Sequence, residues 1–307
     1  MNINECVFEN NKALNGGAIY LNENLIIEER DNNNDNKEKN INIDVKNTIF
    51  LNNKAQYYGG AVYSDIKRID VYNLKNISFI ENTAYAGGAL YINGNNASLF
   101  QYNDIIFLNN KSESHGNDLA TGPFLISHSL DTDQISIKSG EIFPLEFTLT
   151  DKLNQTVNDM SKYYSNIILS VNIEEYNNNV NDIIVLGNIC NFSKGKCELN
   201  NFKIYAKSPL TLNLRFSLDN ESKNIIFKND ILKIVIKECE DNEIKMHVKG
   251  DYYYCKNPFC GDDCPPSSAI CIKNTEENIN DINSNICQCI EGWTGEKCQI
   301  KEYAKIK

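Results

Sequence analysis

The chain of 307 residues carries a formal net charge of −11, a pI near 4.9 and 41% hydrophobic residues, enough apolar material for the cores of two or three domains. So acidic a balance excludes nucleic acid and anionic membranes as partners, because phosphate contacts require clustered Lys or Arg. No apolar run of 18 or more residues occurs, so no helical membrane span is predicted.

The N-terminal MNINECVFENN is polar and enters a structured pattern directly, without the features of a signal peptide. Four copies of one unit follow: CVFENNKALNGGAIYL, TIFLNNKAQYYGGAVYS, ISFIENTAYAGGALYI and IIFLNNKSESHGNDLA. Their phenylalanines, Phe8, Phe50, Phe79 and Phe107, are spaced by 42, 29 and 28 residues. The last two spacings give the period. The surplus in the first falls on the hydrophilic stretch from Asn22 to Asn40, which reads as a loop inserted on one side of a regular stack. A period near 28 with short alternating strands and no 3.6-residue pattern predicts a right-handed parallel β-helix over residues 1–121. Its coils stack at roughly 4.8 Å, so equivalent residues lie above one another.

That geometry assigns roles. Asn11, Asn53, Asn82 and Asn110, each three residues after a Phe, are expected to form a ladder of side-chain amides between coils. Each Phe and the residue two before it (Cys6, Thr48, Ile77, Ile105) share an inward face, which makes Cys6 a small buried hydrophobe. In each GG pair the first glycine turns the coil into its strand and the second lets stacked coils approach. The fourth copy is altered: HGNDLA stands where GGALYI is expected, with His115 in the slot of the first glycine, and TGPF follows. The stack is therefore expected to end there. No comparable cap precedes the first copy, so the chain is read as part of a longer surface protein.

From residue 122 to 238 the texture changes to separate strands: QISIK, FPLEFTLTD, NIILSVNIE, DIIVL, NFKIYA, LTLNLRFSL and DILKIVIK. Their number and spacing predict an immunoglobulin-like β-sandwich. Cys190 and Cys197 either clip a hairpin as a disulfide or lie buried as thiols.

Eight of the eleven cysteines crowd between Cys239 and Cys298. With no paired CxxC knuckles and no His at zinc spacing, they read as a disulfide framework formed in an oxidising compartment. No metal or cofactor is expected. Cys239 and Cys255 are expected to pair, stapling KMHVKGDYYY to the exit of the sandwich. Six sequons, at Asn76, Asn96, Asn110, Asn154, Asn191 and Asn220, are compatible with a secreted glycoprotein, although 49 asparagines produce sequons by chance. Asn110 is assigned to the ladder and the other five to glycosylation.

The segment from Cys260, ending in CQCIEGWTGEKC, resembles the EGF-like domain. The resemblance implies the pairs Cys260–Cys271, Cys264–Cys287 and Cys289–Cys298, with Gly292, Gly295 and Trp293 at the family's turn positions. Residues 239–300 are thus expected to form a small disulfide-rich module, followed by a tail at 301–307. The acidic entry of the calcium-binding subtype is absent. The FxxN and GGA(I/V/L) motifs of residues 1–121 resemble the polymorphic outer membrane protein repeat. This implies adhesion or recognition at a cell surface, and the EGF-like segment behind it favours a eukaryotic surface protein or receptor ectodomain.

The other class is a carbohydrate-active enzyme on the β-helix. Its best candidate residues are Asp65, Lys67, Arg68 and Asp70, with Asp104. No other coil repeats such a cluster, and a solvated turn accounts for it. His115, His128 and His247 are scattered and match neither a zinc site nor a triad. Tyrosine-rich spots at Tyr57/Tyr58, Tyr163/Tyr164, Tyr176 and Tyr252 to Tyr254 offer contact surface for a protein or carbohydrate partner, although core packing explains most of them. The expectation is therefore an extracellular, non-enzymatic recognition or stalk region.

Overall fold

The computed structural model describes residues 1–22, 41–66, 69–93, 104–159, 167–174, 182–219, 224–274 and 279–302. Among these the chain is all-β, without an α-helix. In the first third every repeat contributes a strand to each of three parallel sheets. The first sheet runs from Asn2–Asn4 and Val7–Glu9 through Ile41–Leu51 and Ile69–Ile80 to Ile105–Leu108. The second is built from Lys12–Asn15, Lys54–Tyr58, Thr83–Ala84 and Lys111–Ser112. Ile19–Leu21, Val62–Ser64, Leu90–Ile92 and Leu119–Ala120 make the third. The inserted stretch after Asn22 lies outside the described residues.

Left-handed residues make the corners. Asn10, Asn52, Glu81 and Asn109 have φ between 49° and 57°, a region that Asn tolerates better than most residues. The first motif glycines, such as Gly59 at φ 65°, make another. The second glycines meet a different constraint: a Cβ on Gly60 would lie 2.0 Å from the Gly88 carbonyl oxygen of the next coil.

Between the corners, equivalent side chains stack. Phe8, Phe50, Phe79 and Phe107 form a column with ring centroids 5.0, 4.7 and 5.3 Å apart. It lies in a core shared with Ile77, Val62, Leu90 and Ile92. Thr48 and Ile77 are buried as their spacing predicts. Cys6, expected as a buried hydrophobe, is only half-buried, and its thiol lies 3.3 Å from the Asn4 carbonyl oxygen.

The register of the fourth repeat departs from the expectation. Leu90 pairs with Leu119 and Tyr91 with Ala120. The slot of the first glycine is therefore filled by Gly116, at φ 65°, and not by His115. The corner demands a positive φ, which glycine adopts freely and histidine does not.

At Pro123 the chain leaves the parallel stack. Pro123–His128 joins Leu145–Asp151, Lys196–Leu199 and Ile226–Phe227 in one sheet. Gln134–Lys138, Ile231–Lys237, Leu210–Leu218, Ile168–Ile173 and Ile189–Asn191 form a second. Phe147, Leu149, Leu169, Val171, Leu214 and Phe216 lie in the core they share. A third sheet carries Ile183–Leu186, Lys203–Ala206, Tyr253–Lys256 and Ile244–His247. The boundary expected at 238/239 therefore falls before two strands that pair with this middle unit. Tyr253 is fully buried there, and its carbonyl oxygen accepts a bond from the Ser139 hydroxyl. Beyond Lys256 the chain forms two small hairpins, Ala269–Lys273 with Asn285–Cys289 and Trp293–Thr294 with Ile300–Lys301.

Candidate recognition surface

The asparagine column is the most regular polar feature of the stack. In each step the backbone N–H and Nδ2 of one Asn donate to Oδ1 of the next: Asn11 to Asn53 at 3.1 and 2.9 Å, Asn53 to Asn82 at 2.9 and 3.0 Å, Asn82 to Asn110 at 2.9 and 3.0 Å. The second proton of Nδ2 goes to the Phe carbonyl of the preceding coil, as in Asn82 to Phe50 at 2.9 Å. A buried amide is thereby fully satisfied. Asn110 has no fifth Asn to follow it, and its Nδ2 donates to Asp118 Oδ1 at 3.0 Å. These residues build the scaffold, and the amides of Asn53, Asn82 and Asn110 are spent within it.

The outward face of the first sheet is chemically different. Val7, Ile49, Ser78 and Ile106 form one outward row across the coils, and Glu9, Leu51, Ile80 and Leu108 the next. Val7 is 63% exposed, Ile106 57% and Leu108 50%. Ordinary alternation would put polar side chains here, so the aliphatic wall in contact with water is the candidate surface. Beyond the adjoining corner lies a column of exposed lysines, Lys12, Lys54 and Lys111, with Thr83 in register. Lys46 and Lys75 border the other side. Glu9 and Glu81 interrupt the surface, so it combines an aliphatic centre with mixed charges at its margins.

Aromatic side chains cluster on the third sheet. Tyr20, Tyr63 and Tyr91 stack with centroids 5.1 and 5.8 Å apart, and Tyr58 leans on Tyr91 at 4.6 Å. Burial, helped by Asp65, pushes the Tyr63 phenol up to about 12. It stays protonated throughout the physiological range. Tyr91 is 4% exposed and Tyr20 43%, so the column opens to solvent at the first coil. Tyr252 and Tyr254 are half-buried, while Tyr163, Tyr164 and Tyr176 lie outside the described residues.

The cysteines are joined as Cys190–Cys197, Cys239–Cys255, Cys260–Cys271, Cys264–Cys287 and Cys289–Cys298. Cys190 and Cys197 do not clip a hairpin within one sheet. They lie on strands of two different sheets and tie one to the other. Cys239, Glu243 and Cys255 come within metal-binding distance of one another, but both sulfurs are in the disulfide, so the cluster is no metal centre. Glu243 instead shares Lys138 with Glu240, and these two hydrogen bonds push the Lys138 ammonium up to about 12.

Of the candidate glycosylation sites, Asn76, Asn154 and Asn191 are exposed, whereas Asn96 and Asn220 lie outside the described residues. In the acidic candidate cluster, Asp65 is half-buried and Asp104 exposed. Lys67, Arg68 and the side chain of Asp70 lie outside the described residues. Among those described, no group of His, Cys or acidic side chains in the stack sits at metal-binding distance.

Residues 5–22 and 47–65 match the Chlamydia polymorphic membrane protein repeat. These are the first two coils, from the Phe corner through the glycine pair. No curated protein and no solved structure matches the chain. No helix among the described residues is long and apolar enough to cross a membrane.

The aliphatic wall escaped the sequence reading, although its signal is present. In VFE, IFL, SFI and IFL the residues flanking the inward Phe are mostly aliphatic where alternation calls for polar ones. Asp118 was missed for another reason: its role depends on a register that differs by one residue from the aligned motif.

Proposed function

We propose that the chain is an extracellular, non-enzymatic adhesion or recognition region of a cell-surface protein. In this reading the three parallel sheets form a right-handed parallel β-helix. The middle unit is an immunoglobulin-like sandwich and residues 257–300 an EGF-like module. The repeat match supports a surface protein, and the disulfides suit an oxidising compartment. The observation that carries the reading is the exposed wall of Val7, Ile49, Ile106 and Leu108. A flat aliphatic face with charged margins suits a protein ligand, since apolar contact supplies adhesion and the lysine borders supply orientation.

Beads coated with the chain and applied to cultured cells test this directly. Adhesion by the native chain and its loss in an Ile106→Glu/Leu108→Glu variant with unchanged circular dichroism are expected. Equal adhesion by both, or none by the native chain, contradicts the assignment. Reducing-sugar release from a polysaccharide panel that disappears in Asp65→Ala would instead establish the enzyme reading.

A further inference from the structure

The last coil meets the middle unit at a seam organised around Thr121. Its N–H donates to Asp151 Oδ2 at 3.0 Å and its hydroxyl accepts from the Lys152 N–H at 2.9 Å. Gln155 Nε2 donates to the Leu119 carbonyl at 2.9 Å, and Leu153 packs against the apolar core of the stack. The Tyr85 hydroxyl, from the third coil, donates to Asp159 across the same seam, with both residues buried. Residues 151–159 thus cover the end of the parallel stack.

His115 is locked into this seam, 5% exposed. Its Nε2 lies 2.9 Å from the Thr121 carbonyl oxygen and its Nδ1 2.9 Å from the Ser114 hydroxyl. A carbonyl only accepts, so Nε2 carries the proton and Nδ1 accepts from Ser114. The neutral ring is therefore fully satisfied. A second proton on Nδ1 would require the Ser114 hydroxyl to turn and would place a positive charge in a buried site.

We propose that this seam is an acid-labile joint, in which protonation of His115 in a mildly acidic medium uncouples the repeat stack from the unit that follows. Asp151 faces the ring from the middle unit, the Tyr85–Asp159 pair bridges the same seam, and Glu113 and Asp118 are the charged residues nearest in sequence on its own turn. Of these Asp151 favours the charged ring. Its two oxygens are already engaged by the N–H groups of Thr121, Leu153 and Gln155 and by Gln155 Nε2. Burial outweighs both the Thr121 carbonyl bond and Asp151 and holds the imidazole below its ordinary value of 6.5. The sign follows: the opened seam binds the proton more readily, so the stabilisation is complete above 6.5 and declines as the pH falls below it.

Hydrogen exchange on the full chain at pH 7.5 and 5.5, corrected for intrinsic rates, tests the joint at the amides of Thr121 and Lys152. Protection should fall by up to about tenfold per pH unit below 6.5, and His115→Gln, which still reaches the Thr121 carbonyl but cannot charge, should abolish the dependence. Amides in Leu210–Leu218 serve as a control for the middle unit, where burial also lowers His128. Equal protection at both pH values, or an equal loss in His115→Gln, overturns the proposal. Should that variant fail to fold, an NMR titration of the native chain decides: a folded-state value for His115 at or above 6.5 overturns it.

Discussion

The repeat stack and the middle unit are both all-β, yet they are held together by different means. In the stack, identical residues stand above one another, and each Phe, Asn and Gly meets its counterpart in the neighbouring coil. Contacts are therefore between neighbours, and stability accumulates coil by coil. In the middle unit, strands distant in sequence converge on one mixed core, where Phe147 meets Phe216 edge-on at 5.0 Å. The difference teaches where a chain tolerates change: a defect in the stack is felt by the adjoining coils, whereas a core defect is shared by all strands.

The sharpest way to break the contrast is at the second glycine. Gly60→Val should abolish stacking of the second coil on the third, because even a Cβ would lie 2.0 Å from the Gly88 carbonyl oxygen; loss of parallel-sheet infrared absorption checks it. Next in size is Asn82→Ala. It strips the Asn53 amides of their acceptor and the Phe50 carbonyl of its donor, at a cost of about 3 kcal/mol or more. The exposed Asn76→Ala should cost less, about 1 kcal/mol, because it places alanine at φ 53° and removes only a solvent-exposed bond to Asn47; chemical denaturation compares the two.

Cys289→Ser together with Cys298→Ser should destabilise the C-terminal hairpins by about 2 to 4 kcal/mol and leave the stack intact, as limited proteolysis would reveal. The smallest effect concerns modification. After expression in a glycosylating host, mass spectrometry should find glycan on Asn76, Asn154 or Asn191 but not on Asn110. The Asn110 amide is 5% exposed, and its Nδ2 already donates to Phe79 and Asp118.

What was legible in the sequence follows the same division. The stack announced itself because its period copies Phe50, Asn53 and Gly60 into register, and repetition separates signal from chance. The middle unit offered strands but not their partners: Cys190 and Cys197 are seven residues apart, yet they belong to different sheets. Pairing there depends on tertiary packing, which local alternation does not encode. The seam was invisible for a related reason. Tyr85 meets Asp159 and Thr121 meets Asp151 across separations of 74 and 30 residues, with no motif to align them. His115 drew notice as an altered glycine, whereas its contacts belong to the joint.

The central claim, that the stack is held by contacts between neighbouring coils and the middle unit by a common core, is tested most directly by hydrogen exchange on Asn82→Ala. Protection should fall in the strands flanking the defect, Lys54–Tyr58 and Thr83–Ala84, while Leu210–Leu218 and Ile231–Lys237 keep theirs. An equal loss across both regions would show that the chain unfolds as a single unit and contradict the account.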